Sequence, residues 1–386
     1  MKKAYNETWV ENIDNQETIN NWHEQKMLTD EQLDTAKKAF PVGFHQANIF
    51  VKIGLFLFTN IVASASLGFI SLFLFGIFTD SPQGFSIISL IYAGVFLYAL
   101  EYFIKKNNFY RSGTDNALLY ALLGSIFTCF LSITNFDLPA WSYCLIGLII
   151  LVPALLRYAD PLVAVGVYLT WIALWFLVIT IFPIGKLIIP FVIMLVSAAS
   201  YFLVQFWKKK ETTNYYADCQ GVIEILSSIT FYLGGNYLVV REGNAMLNDL
   251  SDSIQISFAP LFYFFTAVIP AFYIARGLQK HDRKLLIVGL LATAFSIFTY
   301  RQYFSVLSLE WALTIGGIIL VLLSILIIKA LKSIKFGLTS KPLSSNKFQN
   351  LEAFIINQAI QQPNSQSDNM KFGEGGFGGG GAGSEY

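Results

Sequence analysis

The sequence predicts an all-α protein: a polytopic helical bundle of about ten membrane-spanning helices with a small helical hairpin before it. Three observations predict this. Of its 386 residues 55% are hydrophobic and only 13% charged, against about 25% charged in an ordinary soluble domain. The mean hydropathy is +0.55, more apolar surface than one water-soluble core can hide. Between Ile49 and Leu331 apolar windows recur, and windows of about 20 residues match a hydrocarbon core about 30 Å thick. The chain divides into a polar head (1–48), a bundle (49–335) and a Gly-rich tail (336–386).

The head carries five lysines against eight acidic residues. Thr29-Asp30-Glu31-Gln32 fits a capping box, in which the Ser/Thr and Gln side chains each satisfy a free backbone N–H at the helix start. A helix from about Asp30 to Phe40 follows, with Leu33, Ala36 and Phe40 on its apolar face and Pro41 closing it. An earlier helix over about 16–26 places Ile19 and Trp22 on one side. Two short helices suggest a DNA-binding unit. The net negative charge excludes nucleic acid as a partner, because neutralisation of phosphates dominates that affinity. A cap on the bundle, or a surface for a protein partner, fits better. No apolar run lies near Met1, so no cleavable signal is expected and the first span directs insertion.

Ten spans fall near 49–76, 85–104, 114–134, 140–157, 161–182, 186–207, 216–240, 257–276, 284–304 and 309–331. Asp160-Pro161 is a helix start, with an N-capping carboxylate followed by a proline whose missing N–H costs nothing there. Basic residues set the direction. With the head inside, the inner connections hold Lys105, Lys106, Arg111, Arg157, Lys208, Lys209, Lys210, Arg276, Lys280, Arg283 and Lys284. The outer side holds only Lys186, Arg241 and Arg301. Both termini are therefore expected in the cytoplasm of a bacterium whose inner membrane holds the chain. The outer loop after Arg241 repeats Met246, Leu247, Leu250 and Ile254 at helical spacing, as a short interfacial helix would.

Ionisable groups inside a membrane are candidate sites. Glu224 stands out in the seventh span, with Gln220 a turn before it and Ser227 and Ser228 a turn after. That polar stripe fits a proton or cation site, or a carboxylate paired with a basic neighbour. Gly234-Gly235-Asn236 beyond it would loosen the helix. Lys52 and Glu101 sit near inner ends, where snorkelling accounts for them. Asn60 with Ser64 suits interhelical hydrogen bonding, and Pro153, Pro190 and Pro270 lie within spans. Gly113, Ala117, Ala121 and Ser125 recur every four residues. Small residues at that spacing let helix backbones approach, as a seam within the bundle or, less simply, in a homo-oligomer.

Searches for chemistry return little. His23, His45 and His281 are far apart, and no H-E-x-x-H or phosphate loop occurs, so no metal or cofactor is expected. A G-x-G-x-x-G match at Gly373–Gly378 lies in low-complexity chain without a strand before it. Cys129, Cys144 and Cys219 lie in or beside apolar segments, odd in number and unsuited to a disulfide framework. Asn6-Glu7-Thr8 matches a glycosylation triplet, idle in a cytoplasmic head. In the tail, Phe348, Leu351, Phe354, Ile355 and Ala359 suggest one short amphipathic helix before a Gln, Asn, Ser and Gly-rich stretch too polar to pack.

The segment Trp22-His23-Glu24-Gln25-Lys26-Met27-Leu28-Thr29-Asp30-Glu31-Gln32, running into the Ile49 block, resembles the start of an uncharacterised bacterial family, domain of unknown function 2157. The likeness covers the first third of the chain. It implies a short helical head and many spans, and no activity or site residues. The sequence thus favours a non-enzymatic membrane protein, such as an envelope-associated or assembly factor. The alternative is a secondary transporter of two inverted five-helix halves, suggested by Val62-Ala63-Ser64-Ala65-Ser66 and Val196-Ser197-Ala198-Ala199-Ser200. An intramembrane enzyme lacks a recognisable catalytic set.

Overall fold

The computed structural model describes residues 2–45, 48–78, 82–210 and 214–303, with six isolated helical positions beyond them. Those six positions fall in the tenth span, the rest of which, with the tail helix and the Gly-rich stretch, lies outside the described residues. Within those described there are twelve α-helices and no strand.

The head is α1 (Glu7–Glu24) and α2 (Asp30–Ala39). α1 starts nine residues earlier than expected because Asn6 caps it, its Oδ1 accepting from Thr8 N at 3.0 Å and Trp9 N at 3.3 Å. α2 begins with the capping box foreseen at Thr29 and Gln32. Its apolar face, however, is not buried, and Phe40 is exposed. α1 supplies the head's packing instead, through Val10 and Ile19.

The spans are α3 (Ile49–Phe78), α4 (Pro82–Asn107), α5 (Thr114–Ile133), α6 (Ala140–Tyr158), α7 (Pro161–Thr180) and α8 (Gly185–Lys210), then α9 (Ala217–Gly235), α10 (Tyr237–Leu247), α11 (Ala259–Lys280) and α12 (Arg283–Tyr303). Eight of them are each long and apolar enough to cross a membrane. The seventh span is not one straight helix over 216–240. α9 and α10 meet at a 73° bend, so the short helix starts at Tyr237 and stops before Leu250 and Ile254. Counted as one span, the bent pair makes nine among the described residues, one for each window through 284–304.

α4 against α5, α8 against α9 and α11 against α12 are the most extensively packed pairs. The first half gathers on Leu100, Leu119 and Ala164, and the second on Tyr232, Ile269 and Val288. α3 buries only 6% of its apolar window, so most of its apolar surface is left uncovered. Cys129 and Cys219 are buried free thiols and Cys144 is half-buried.

Of the four small residues foreseen on the third span, Gly113 approaches the α3 backbone. Gly113 is the N-cap of α5 at φ +96°, a conformation that favours glycine. A side chain there would collide with the Lys52 carbonyl and come within 2.9 Å of the Phe56 nitrogen. Ala117 is buried, Ala121 half-buried, and Ser125 Oγ donates back to the Ala121 carbonyl at 2.8 Å.

Candidate functional site

Three polar constellations interrupt the apolar bundle. The first surrounds Glu224, which is 7% exposed. α9 turns its carboxylate towards α8, whose C-terminal turns carry Gln205 and Lys208. Gln205 Nε2 donates to Oε1 at 2.8 Å and Lys208 Nζ to Oε2 at 2.5 Å. A buried carboxylate with both oxygens engaged and an ammonium partner avoids most of the desolvation cost. Ser227 and Ser228 do not reach the carboxylate. Their hydroxyls donate to Glu224's own backbone carbonyl at 3.0 and 2.8 Å, the back-bonding usual for serine within a helix. Gln220 lies one turn away and is half-buried. Tyr201, Asp282 and Lys284 line a half-open cavity of about 10 Å³ beside Glu224, room for about one water.

The second constellation holds the bend. Asn236, wholly buried, ends α9 and caps α10, accepting at Oδ1 from Leu238 N at 3.0 Å and Val239 N at 3.3 Å. Its Nδ2 donates to the Tyr232 hydroxyl at 2.8 Å and to Thr299 Oγ1 at 3.0 Å. Tyr237 N donates to Thr266 Oγ1 at 2.9 Å, and Ser296 Oγ to the Thr266 carbonyl at 2.6 Å. The polar groups freed by breaking the helix thus find partners on α11 and α12, as low-dielectric surroundings require. A groove of about 530 Å³ runs beside the bend, between α7, α8 and α10.

The third constellation joins head to bundle. The last carbonyls of a helix have no partner within it, and those of α6 are taken by other segments. The Arg157 carbonyl accepts from Ala4 N at 2.9 Å and the Tyr215 hydroxyl at 2.7 Å, and the Leu156 carbonyl from the Tyr216 hydroxyl at 2.6 Å. The Arg157 guanidinium donates to Glu101 Oε1 from Nε at 2.9 Å and Nη2 at 2.7 Å, and to the Lys2 carbonyl at 2.9 Å. Asp115, 1% exposed in the first turn of α5, accepts from Arg111 N at 2.8 Å, Ser112 N at 2.8 Å, Ser112 Oγ at 2.9 Å and the Tyr5 hydroxyl at 3.0 Å. Burial and the Asp115 charge push the Tyr5 phenol well above its usual range, so it remains a donor. Asp160, the N-cap foreseen for α7, also holds Asn116 Nδ2 at 2.6 Å and the Tyr120 hydroxyl at 3.0 Å. Arg111 pairs with Asp218 at the start of α9.

Lys52 is half-buried beside Gly113, and Glu101 is a network member rather than a snorkelling charge, with Lys105 at 3.1 Å as a further partner. Asn60 Nδ2 donates within its own helix, to the Phe56 carbonyl at 2.9 Å. Sequence reasoning missed Asp115, Tyr5 and the Asn236 partners. Asp115 carries a local signal, an acid just after Gly113 at a helix start. Tyr5, 110 positions from its partner, carries none. No group of three or more His, Cys, Asp or Glu suited to a metal ion occurs among the described residues. The fold and these sites define a polytopic helical membrane protein. No family model, curated protein or solved structure matches the chain.

Proposed function

We propose that the chain is a non-enzymatic membrane protein, an assembly or envelope-associated factor of a bacterial inner membrane, with its head in the cytoplasm. Membership of the bacterial family that the head resembles is part of this proposal. The observation that carries it is the saturation of the interior charge. Glu224 gives both oxygens to α8, beside a cavity of about 10 Å³, so the bundle holds no room for a polar solute at its buried carboxylate. The basic connections at Lys105-Lys106, Lys208–Lys210 and Arg283-Lys284 lie at the head's end of the bundle, which supports a cytoplasmic head. The exposed face of α2, with Trp22 and Met27 beside it, is left for a protein partner.

The bend at Asn236 favours a second reading, a carrier, because discontinuous spans line substrate sites in many transporters. Against it, α4 stands where the first half of an inverted pair would need the matching break, and it runs unbroken from Pro82 to Asn107.

Two measurements separate the readings. In proteoliposomes, wild type and Glu224→Gln should leave an imposed proton gradient unchanged, while Glu224→Gln should lose about 1.5–3 kcal/mol of stability, the scale of a hydrogen bond to a charge. A gradient dissipated by wild type and spared by Glu224→Gln would favour the carrier. A photocrosslinker at exposed Glu31 should give one discrete protein adduct in native cells, and its absence would count against an assembly role.

A further inference from the structure

The groove beside the bend is too large to be a packing defect. Its volume of about 530 Å³ lies within the roughly 300–1,000 Å³ of ordinary ligand sites. It lies where α10 turns aside by 73° at Asn236. Ile172, Ile189, Ile193, Leu233 and Val240 form its walls. α7 and α8, which supply three of these, are the two most apolar spans, with window hydropathies of 2.4 and 2.5. An empty space of this size forfeits dispersion contacts along its whole lining. Water fills it poorly, because water needs two to four polar partners and these walls offer few. Hydrocarbon is the filler that a bilayer supplies.

The mouth has a different chemistry. Lys186, at the end of the bundle away from the head, is the one charged residue lining the groove among those described. Its ammonium donates to the Leu247 carbonyl at 2.6 Å and to Asn248 Oδ1 at 3.3 Å, which leaves one of three N–H donors. Asn244, Gln255 and Ser257 also line the groove, and no carboxylate does. We propose that this groove is a site for one acyl chain of an anionic phospholipid, with the chain between α8 and α10 and the phosphate at Lys186. The site goes beyond the assembly reading and does not depend on it.

The full chain in detergent, titrated with phosphatidylglycerol, with phosphatidylcholine of the same chains and with inorganic phosphate, tests this by native mass spectrometry. Phosphatidylglycerol should give a one-lipid adduct in preference to phosphatidylcholine. Lys186→Gln should reduce that preference about fivefold, the scale of one lysine at an anionic surface. A Cβ at Gly243 meets nothing within 4 Å, so Gly243→Leu should fill the groove, keep the melting temperature and lose the adduct. If Gly243→Leu does not fold, Ile193→Phe narrows the same groove from α8. Equal binding of the two lipids, or an undiminished adduct in a folded groove-filling variant, overturns the proposal. So does displacement of the lipid by inorganic phosphate, which would mark a free-anion site.

Discussion

At the scale of single residues, the head is held by few contacts of unusual reach. Tyr5→Phe removes the phenol that donates to Asp115 at 3.0 Å and leaves the three local donors in place. The expected loss is about 1.5–3 kcal/mol, as for a hydrogen bond to a charged group, and thermal unfolding in detergent reads it. A Tyr5→Phe variant as stable as wild type would mean that the Tyr5–Asp115 bond does not hold the head, leaving that to packing and to the backbone bonds at Lys2 and Ala4. Glycines offer a sharper contrast. Gly113→Ala forces a side chain onto the Lys52 carbonyl at a positive φ, and should fail to accumulate as folded protein. Gly124→Ala, whose Cβ would meet nothing within 4 Å, should be neutral or slightly stabilising through helix propensity. Similar outcomes for the two would show that α3 does not approach α5 so closely.

At the scale of elements, what was legible in the sequence was what neighbours in sequence decide. The capping box at Thr29 and the Asp160-Pro161 start are both where they were expected, because each is settled within four residues. α1 starts at Glu7 rather than near residue 16 because Asn6 is a sound N-cap, a local signal that the apolar spacing of Ile19 and Trp22 does not carry. Gly234-Gly235-Asn236 marked a weak point in the seventh span. It did not reveal a 73° bend, since the groups that stabilise the bend, Thr266, Ser296 and Thr299, sit on other helices. The same limit applied to Glu224: the carboxylate was visible, its partners on α8 were not. Asn236→Leu keeps the bulk and removes the N-cap and two buried hydrogen bonds. It should cost about 2–4 kcal/mol, from about 1 for a cap and about 1 for each bond, and relax the bend. Distances between spin labels on α9 and α10 would show the change, and an unaltered distance would place the cause of the bend elsewhere.

At the scale of the whole molecule, basic residues gathered at one end predict a direction in the membrane. An alkaline phosphatase joined after Asp249 should be active and one joined after Lys209 silent. The reverse pattern would invert the topology and put the head outside. Arg157, Glu101, Tyr215 and the backbone at Lys2 and Ala4 meet in one network, and this convergence has a consequence for biosynthesis. The head cannot complete its contacts with the bundle until Tyr216 has been made. At the usual 5–20 residues per second that is a wait of roughly 10–40 s. For that interval the head stands on its own, with Tyr5 and Phe44 still lacking the Tyr110 ring that packs on both, while six spans are made ahead of its docking. The acidic, capped helices of the head are suited to such a wait.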